Sequence, residues 1–367
     1  MSARTSLVTA AALVLAVAGA GVLAQPGEDE VPRLVEQVVA AGAPGVLVQV
    51  RDRHKTRTIV LGVAQGAPRR LIRPGDRFRI GSVTKTFVAT VVLQLVAEGR
   101  IELEDTVDEW LPGLVPDGEE ITVRQLLGHM SGLFDYVEDE RVFAPYEQDP
   151  RHVWSPRALV ELAVAHPSPL RPGDRYAYSS TNYLLLELIV ERASGTSLER
   201  QLQARVVEPL GLEDTSFEPG LVLGAHIHGH RPPSHQGIVT GPPRDTSSEA
   251  ASWTWGAAAI VSTAEDLRRF FHALLRGRLL PSTQLRDMQT LVPAGSLRYG
   301  LGLAAFPTPC GDAWGHTGNA QGSITVAWNT RDASRQVIVV VNTFPLTGEL
   351  EDAVRRLQLS AFCGMGD

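Results

Sequence analysis

Lysine is almost missing from this chain: of 34 basic residues only Lys55 and Lys85 are lysines, and the rest are arginines. A lysine that survives in such a background draws attention when it falls in a motif. There is no run of five or more basic residues, and the net charge is -7, which argues against nucleic acid as the main partner. Cysteine is as scarce. Cys310 and Cys363 are the only two, and neither has a Cys-x-x-Cys spacing or a neighbouring histidine, so a metal site is not expected there. Beyond residue 24 no stretch of 18 residues is free of charges and turn breakers, which leaves no later membrane span. Internal repeats and Pro- or Gly/Ser-rich linkers are absent, as are Gly-x-Ser-x-Gly, His-Glu-x-x-His and a complete Gly-x-Gly-x-x-Gly.

What is present suits a large folded core: 44% of the 367 residues are hydrophobic and 20% charged. Residues 1–24 read as an export signal, with Arg4, an apolar run from Leu7 to Leu23, and Val22-Leu23-Ala24 as the cleavage site. An uncleaved anchor is the alternative. Cleavage after Ala24 would give a secreted, soluble protein with no stable membrane insertion, expected to act as a monomer. In an oxidising compartment two cysteines imply one disulfide, with two free thiols as the alternative.

Periodicity divides the mature chain. Residues 31 to 41 have helical spacing, and GVLVQVRD and RTIVLGV read as a β-hairpin about Arg53–Thr56. From Ser82 to about Arg276 the pattern is mainly helical, in segments such as VRQLLGHM, ALVELAVAH, TNYLLLELIVERASG and TAEDLRRFFHALLRG. Strand patterns return in RYGLGLAAF, GSITVAWNT and RQVIVVVNT, and an amphipathic helix closes the chain. The expected fold is α/β (α+β): an antiparallel sheet flanked by helices, drawn from residues 25–81 and 290–367, with 82–289 as a mainly helical region. The segment after Ser82 carries Val83, Thr84, Thr86, Val88, Thr90, Val91 and Val92, a strand-like composition. Its length and its end at Glu98-Gly99 favour a buried helix.

Ser82-Val83-Thr84-Lys85 places a hydroxyl and an amine three residues apart, on one face of that helix. The serine amide at the helix start favours a developing oxyanion. To accept the serine proton Lys85 must be neutral; moving its pKa from ~10.4 to near 7 costs roughly 4.6 kcal/mol, to be supplied by burial and a second polar partner. Alone, such a spacing arises readily by chance. Tyr178-Ser179-Ser180 offers a tyrosine as a proton relay or an ordinary half-buried ring. Trp314-Gly315-His316-Thr317-Gly318 lies among strand patterns, where small residues can line a cleft or merely form a surface strand. His129 and Asp135 invite a triad with Ser131, but the GHMSGLFDY segment reads as a loop shaping the cleft. His226, His228 and His230 alternate without an intervening carboxylate, a weak metal pattern.

Taken in order, these elements resemble the serine penicillin-recognising enzymes, with their Ser-x-x-Lys, Tyr-x-Asn and Lys-Thr-Gly motifs. The chain is most similar to secreted actinomycete D-alanyl-D-alanine carboxypeptidases, class C β-lactamases and family VIII esterases, in which His-Thr-Gly can replace Lys-Thr-Gly. The resemblance runs through FRIGSVTKTF, ITVRQLLGHMSGLFDY, YSSTNYLL, EPLGLEDTSF, AAAIVSTAEDLRRF, YGLGL, WGHTGNAQG and SAFCG. It implies Ser82 as acylated nucleophile, Lys85 as proton acceptor, Tyr178 as acid/base for the leaving group, and His316, Thr317 and Gly318 as the cleft strand. It further implies an oxyanion hole from the amides of Ser82 and Asn319, a cleft-wall Trp253, and a Cys310–Cys363 disulfide. Two positions depart from the pattern. Ser180 stands where the family has asparagine, and Ala304 where related carboxypeptidases have a carboxylate-binding arginine. A protonated His316 could attract a carboxylate near pH 6 in its place. The implied activity is D-Ala-D-Ala carboxypeptidase-like hydrolysis of a small molecule or peptidoglycan peptide, with no cofactor. A β-lactamase, an esterase, or a non-catalytic penicillin- or peptidoglycan-binding protein are the alternatives.

Overall fold

The computed structural model describes residues 30–364 except 54, 236, 237, 240 and 242, so the expected export signal lies outside the described residues. Helix α1 (Glu30–Ala40) leads into a hairpin of β1 (Gly45–Asp52) and β2 (Lys55–Gln65), followed by the short β3 (Arg70–Leu71). The other strands come from the far end of the sequence: β4 (Val292–Ala294), β5 (Leu297–Tyr299), β6 (Ala304–Thr308), β7 (Gly311–Ala320), β8 (Ser323–Asn329) and β9 (Arg335–Val341). They form one nine-stranded sheet in the order β4-β5-β6-β7-β8-β9-β1-β2-β3, each neighbouring pair antiparallel. The two halves of the chain meet at β1 and β9, where Val46 faces Val341 and Val50 faces Val337.

Both faces of this sheet are covered. Along β1 the alternation of side chains sends Val46, Val48 and Val50 toward α1 and the C-terminal helix, while Leu47 joins the core under the helical layer. On β9, Val337, Val339 and Val341 take the first face and Ile338 and Val340 the second. A strand buried on both sides reads as a continuous apolar run, which is why RQVIVVVNT shows little polar alternation.

The helical layer centres on α2 (Thr84–Ala97), which continues a tight 3-10 turn at Gly81–Val83. It is helical despite its β-branched composition because it is buried nearly all round. Its threonine hydroxyls find carbonyls at once: Thr90 donates to Thr86 (2.8 Å) and Thr86 to Gly302 (2.7 Å). Helix α3 (Thr181–Ser194) packs against α2, and α4 (Ala264–Leu275) stacks Phe270 on Phe87 at 3.6 Å. The middle of the chain is not wholly helical. Phe78–Arg79, Ile260–Ser262 and Ser216–Phe217 build a three-stranded ribbon at the base of α2. Strands of two or three residues are too short to leave a periodic signature.

The last helix, α5 (Gly348–Cys363), lies along α1, and Cys363 at its end bonds to Cys310 in the β6–β7 turn, with Cα atoms 5.5 Å apart. The structure thus pairs the two cysteines rather than leaving them as free thiols. No helix among the described residues is long and apolar enough to cross a membrane.

Candidate active site

The site lies where β7 crosses the start of α2. A Cβ at Gly318 would fall 2.0 Å from the Ile80 carbonyl oxygen and 2.8 Å from the Ser82 nitrogen, so only glycine lets the strand come this close. Gly81 has φ +55°, and a Cβ there would meet the Asn319 nitrogen at 2.6 Å. Those two glycines bring the backbones of Ser82 and Asn319 side by side. Ser82 remains partly open to solvent while its neighbours are buried.

Two groups converge on the Ser82 hydroxyl. Lys85 Nζ is 3.0 Å from Oγ, and the Tyr178 hydroxyl donates to Oγ at 2.9 Å. Lys85 is fully buried and also donates to the Ala257 carbonyl at 2.9 Å. Burial lowers its pKa to about 7, opposed by the negative charge of Asp135. Asp135 is itself buried, and desolvation raises its carboxyl to about 6 against the pull of Lys85. Burial holds the Tyr178 phenol well above its ordinary value, with the Ser82 hydrogen bond acting the other way. The rings of Tyr178 and Tyr183 flank the amine at 4.9 and 5.5 Å. Near neutral pH this arrangement can offer a neutral amine to the serine proton and a protonated phenol beside the same oxygen.

His129 supports this side of the cleft without touching Ser82. Its ring lies 4.2 Å from that of Tyr178, and its Nδ1 accepts the Ser179 amide proton at 3.2 Å. Ser131 gives its hydroxyl to Asn182 at 2.6 Å. His129, Asp135 and Ser131 therefore do not form a relay with one another. Ser180, at the start of α3, is nearly buried, and its side chain makes no hydrogen bond among the described residues. The second partner of Lys85 is the Ala257 carbonyl instead. Trp253 is half-buried, edge-on to Phe143 at 5.3 Å, and its carbonyl accepts the Tyr136 hydroxyl at 2.6 Å.

The burial of His316 bears on the expectation of a cation near pH 6. His316 is 4% exposed, and burial followed by the nearby Lys85 charge lowers its pKa to about 3. In a neutral ring Nδ1–H is directed at the Thr317 carbonyl and Nε2 accepts from the Tyr299 hydroxyl at 3.0 Å, a hydroxyl that is also a partner of Tyr183. Ala304 pairs with Gly315 on one side and Tyr299 on the other. It is packed in a small cluster with Ala294 and Tyr299, edged by Tyr176, Leu297 and Phe306. Thr317 and Asn319 are half-buried on β7. Away from the cleft, His228 engages Asp245 at 2.7 Å and His230 the Asn342 carbonyl at 3.0 Å, so those rings already have protein partners.

Sequence reading missed Tyr299, the Ala257 carbonyl and Glu187. Tyr299 sits in the YGLGL segment with no motif of its own, and a backbone carbonyl leaves no trace in sequence. Glu187 had a usable signal: an acid within the apolar run YLLLELIVE.

A large antiparallel sheet, a helical layer and a Ser-x-x-Lys turn between them define a serine hydrolase with a β-lactamase/transpeptidase-like fold. The Beta-lactamase family model matches residues 31–361, and the chain belongs to that family, which includes penicillin-binding proteins. A solved D-stereospecific amidohydrolase from Streptomyces sp. is 33% identical, with a TM-score of 0.82 over 93% of this chain and 100% of that one. Esterase EstB of Burkholderia gladioli is 30% identical over 323 residues, 76% of this chain and 81% of that protein. PbpX of Bacillus subtilis is 28% identical over 236 residues, 63% of this chain, and the chain spans 54% of that protein's length.

Proposed function

We propose that the protein hydrolyses a small amide or ester of a D-amino acid through an acyl-Ser82 intermediate, without requiring a free carboxylate on the substrate. Neutral Lys85 takes the Ser82 proton, and Oγ attacks the substrate carbonyl. The amides of Ser82 and Asn319 receive the developing oxyanion, and Tyr178 protonates the leaving amine or alkoxide and is reprotonated by the Lys85 ammonium. Water then attacks the acyl-enzyme, giving a proton to neutral Lys85, and Oγ leaves with a proton from Tyr178, which Lys85 restores. Thr317 and Gly318 offer backbone along the extended substrate, and Trp253 flanks it. The relatives that support a D-configured amide or an ester are the Streptomyces amidohydrolase and EstB.

The observation that carries the choice over a carboxypeptidase is the state of the sheet side. Burial lowers the pKa of its one histidine, His316, which lies against Tyr299, and Ala304 stands where related carboxypeptidases carry the carboxylate-binding arginine. A charge-assisted hydrogen bond to a carboxylate contributes on the order of 1.5–3 kcal/mol, a factor of roughly ten to a hundred in specificity. The test compares D-alanyl-D-alanine with D-alanyl-D-alaninamide, which share a scissile bond and differ in terminal charge. We expect kcat/KM for the acid to exceed that for the amide by less than about tenfold. A preference for the free acid above about a hundredfold identifies a carboxypeptidase and overturns the reading. Absence of any covalent adduct on Ser82 with a fluorophosphonate probe favours a non-catalytic binder.

A further inference from the structure

Glu187 is a carboxylic acid in the middle of α3, 1% exposed and surrounded by Leu184, Leu186, Ile189 and Val190 along a buried helix. Burying such a group is unfavourable unless its hydrogen bonds are met. Its Oε2 accepts the Gly256 amide proton at 2.7 Å. Gly256 belongs to the single helical turn Trp255–Ala258, and the next carbonyl in that turn, Ala257, is the one that accepts Lys85 Nζ.

The turn is closed by its own backbone, with the Ala257 and Ala258 amides donating to Thr254 at 2.9 and 3.1 Å and Ala259 to Trp255 at 2.9 Å, and it is anchored from outside at two points. Trp255 has φ +35°, in a region that non-glycine residues rarely occupy. Its indole donates to the Trp154 carbonyl at 2.8 Å, which anchors one end. Gly256 is pressed onto α3 so closely that a Cβ would lie 2.8 Å from the Tyr183 carbonyl and 3.1 Å from Glu187 Cβ. Glu187 therefore grips the backbone one residue before the atom that holds the lysine, and Tyr183, one turn earlier on the same helix, flanks that amine.

We propose that Glu187 is a positioning residue for acyl transfer: by holding the Gly256 amide, it fixes the Ala257 carbonyl against Lys85 Nζ. The proposal rests on Ser82 and Lys85 acting as described above. It requires an acceptor oxygen at this position rather than a charge. Desolvation raises the Glu187 carboxyl to about 8, so the acid is largely neutral at pH 7, and a neutral carboxyl still accepts through its carbonyl oxygen. The amine faces Asp135, His129, His316, Tyr178 and Tyr183, and none of these replaces the Ala257 acceptor.

The experiment follows fluorophosphonate labelling of Ser82 in the full chain from about pH 5 to about pH 9, with melting temperature alongside. Glu187→Leu leaves the Gly256 amide unpaired and the turn tied to the rest of the protein on this side by packing alone. Labelling should slow by about ten- to a hundredfold, expressed in the maximal rate rather than in probe affinity. Loss of an acceptor that favours the ammonium form should also move the acid limb to lower pH by about half a unit or more. Glu187→Gln keeps an acceptor oxygen and should restore both rate and limb to within about threefold of wild type. A folded Glu187→Leu protein with wild-type rate and limb overturns the proposal, and so does a Glu187→Gln protein as slow as Glu187→Leu. Should Glu187→Leu not melt cooperatively, Glu187→Asp withdraws the acceptor by one methylene. It is expected to show the same loss, and a wild-type rate would overturn the proposal. Failure of the wild-type chain to label on Ser82 removes the parent reading instead, whereas normal labelling in Glu187→Leu removes this one alone.

Discussion

The two walls of the cleft are built on opposite plans. The helical wall gathers its polar atoms from distant sequence: Ser82 and Lys85 from α2, Tyr178 from the loop before α3, Ala257 from a turn 172 residues beyond Lys85. There the amine is desolvated to a pKa of about 7 and held by hydrogen bonds at both ends of its donor fan. The sheet wall is contiguous, a single strand running through His316, Thr317, Gly318 and Asn319, with its preceding turn stapled by the disulfide. There the ionisable group is driven to the other limit, a histidine with a pKa of about 3, neutral throughout the physiological range. The same burial thus has different consequences: it brings an amine to half-neutrality near pH 7 on one wall and disfavours the charged imidazole on the other.

The largest effect expected from breaking this division is at Ser82. Ser82→Ala should lose fluorophosphonate labelling and lower hydrolysis by on the order of 10⁴–10⁶, with the fold retained. An adduct mapped to Ser131 in the wild-type chain would reassign the nucleophile and dissolve the contrast.

Next in size is the staple. On the chain-entropy model, the Cys310–Cys363 bond closes a span of 53 residues and contributes about 4 kcal/mol. Reduction, or a Cys310→Ser/Cys363→Ser double variant, should lower the denaturant midpoint while leaving the Ser82 labelling rate within about threefold, because the bond ties the start of β7 and the strand meets Ser82 near its other end, at Gly318 and Asn319. Two reactive thiols in the unfolded, unreduced protein would contradict the bond. A labelling rate that fell together with stability would show that the walls are coupled.

The smallest effect is the pH signature of the walls themselves. Acylation needs neutral Lys85, so the rate should rise with pH through an acid limb near 7, while His316, already deprotonated above about 3, adds no limb at pH 6. Tyr299→Phe removes a donor that favours the neutral imidazole. The His316 titration, read from its ring proton shifts by NMR, should therefore move upward, with kcat/KM changing by less than about tenfold. A His316 titration near 6.5 in the wild-type chain would restore a cation to the sheet wall and reopen the carboxylate-binding reading.

Much of the architecture was legible beforehand because it is written in local patterns. The β1–β2 hairpin, α1, β8, β9 and the closing helix follow from residue spacing over windows of about ten, and α2 from its length and its end at Glu98-Gly99. The Ser-x-x-Lys pair was readable for the same reason, since three residues along a helix fix a shared face wherever the helix is placed. The short ribbon at 78–79, 216–217 and 260–262 was not, because strands of two or three residues gain their identity only from partners far along the chain.

The protonation of the site belonged entirely to tertiary structure. Sequence stated that Lys85 must be neutral to act as a base, but the desolvation that lowers its pKa, and the Asp135 charge opposing it, exist only once the layers close. The same holds for His316: as a residue type it suggested a cation, and as a buried ring between Thr317 and Tyr299 it is neutral. Sequence determined which side chains share a helix face or a strand, because those relations are set by backbone geometry within one element. Which of them carry charge was decided by burial and by partners from other elements, because the cost of an ion depends on the whole surrounding volume and not on its neighbours in the chain.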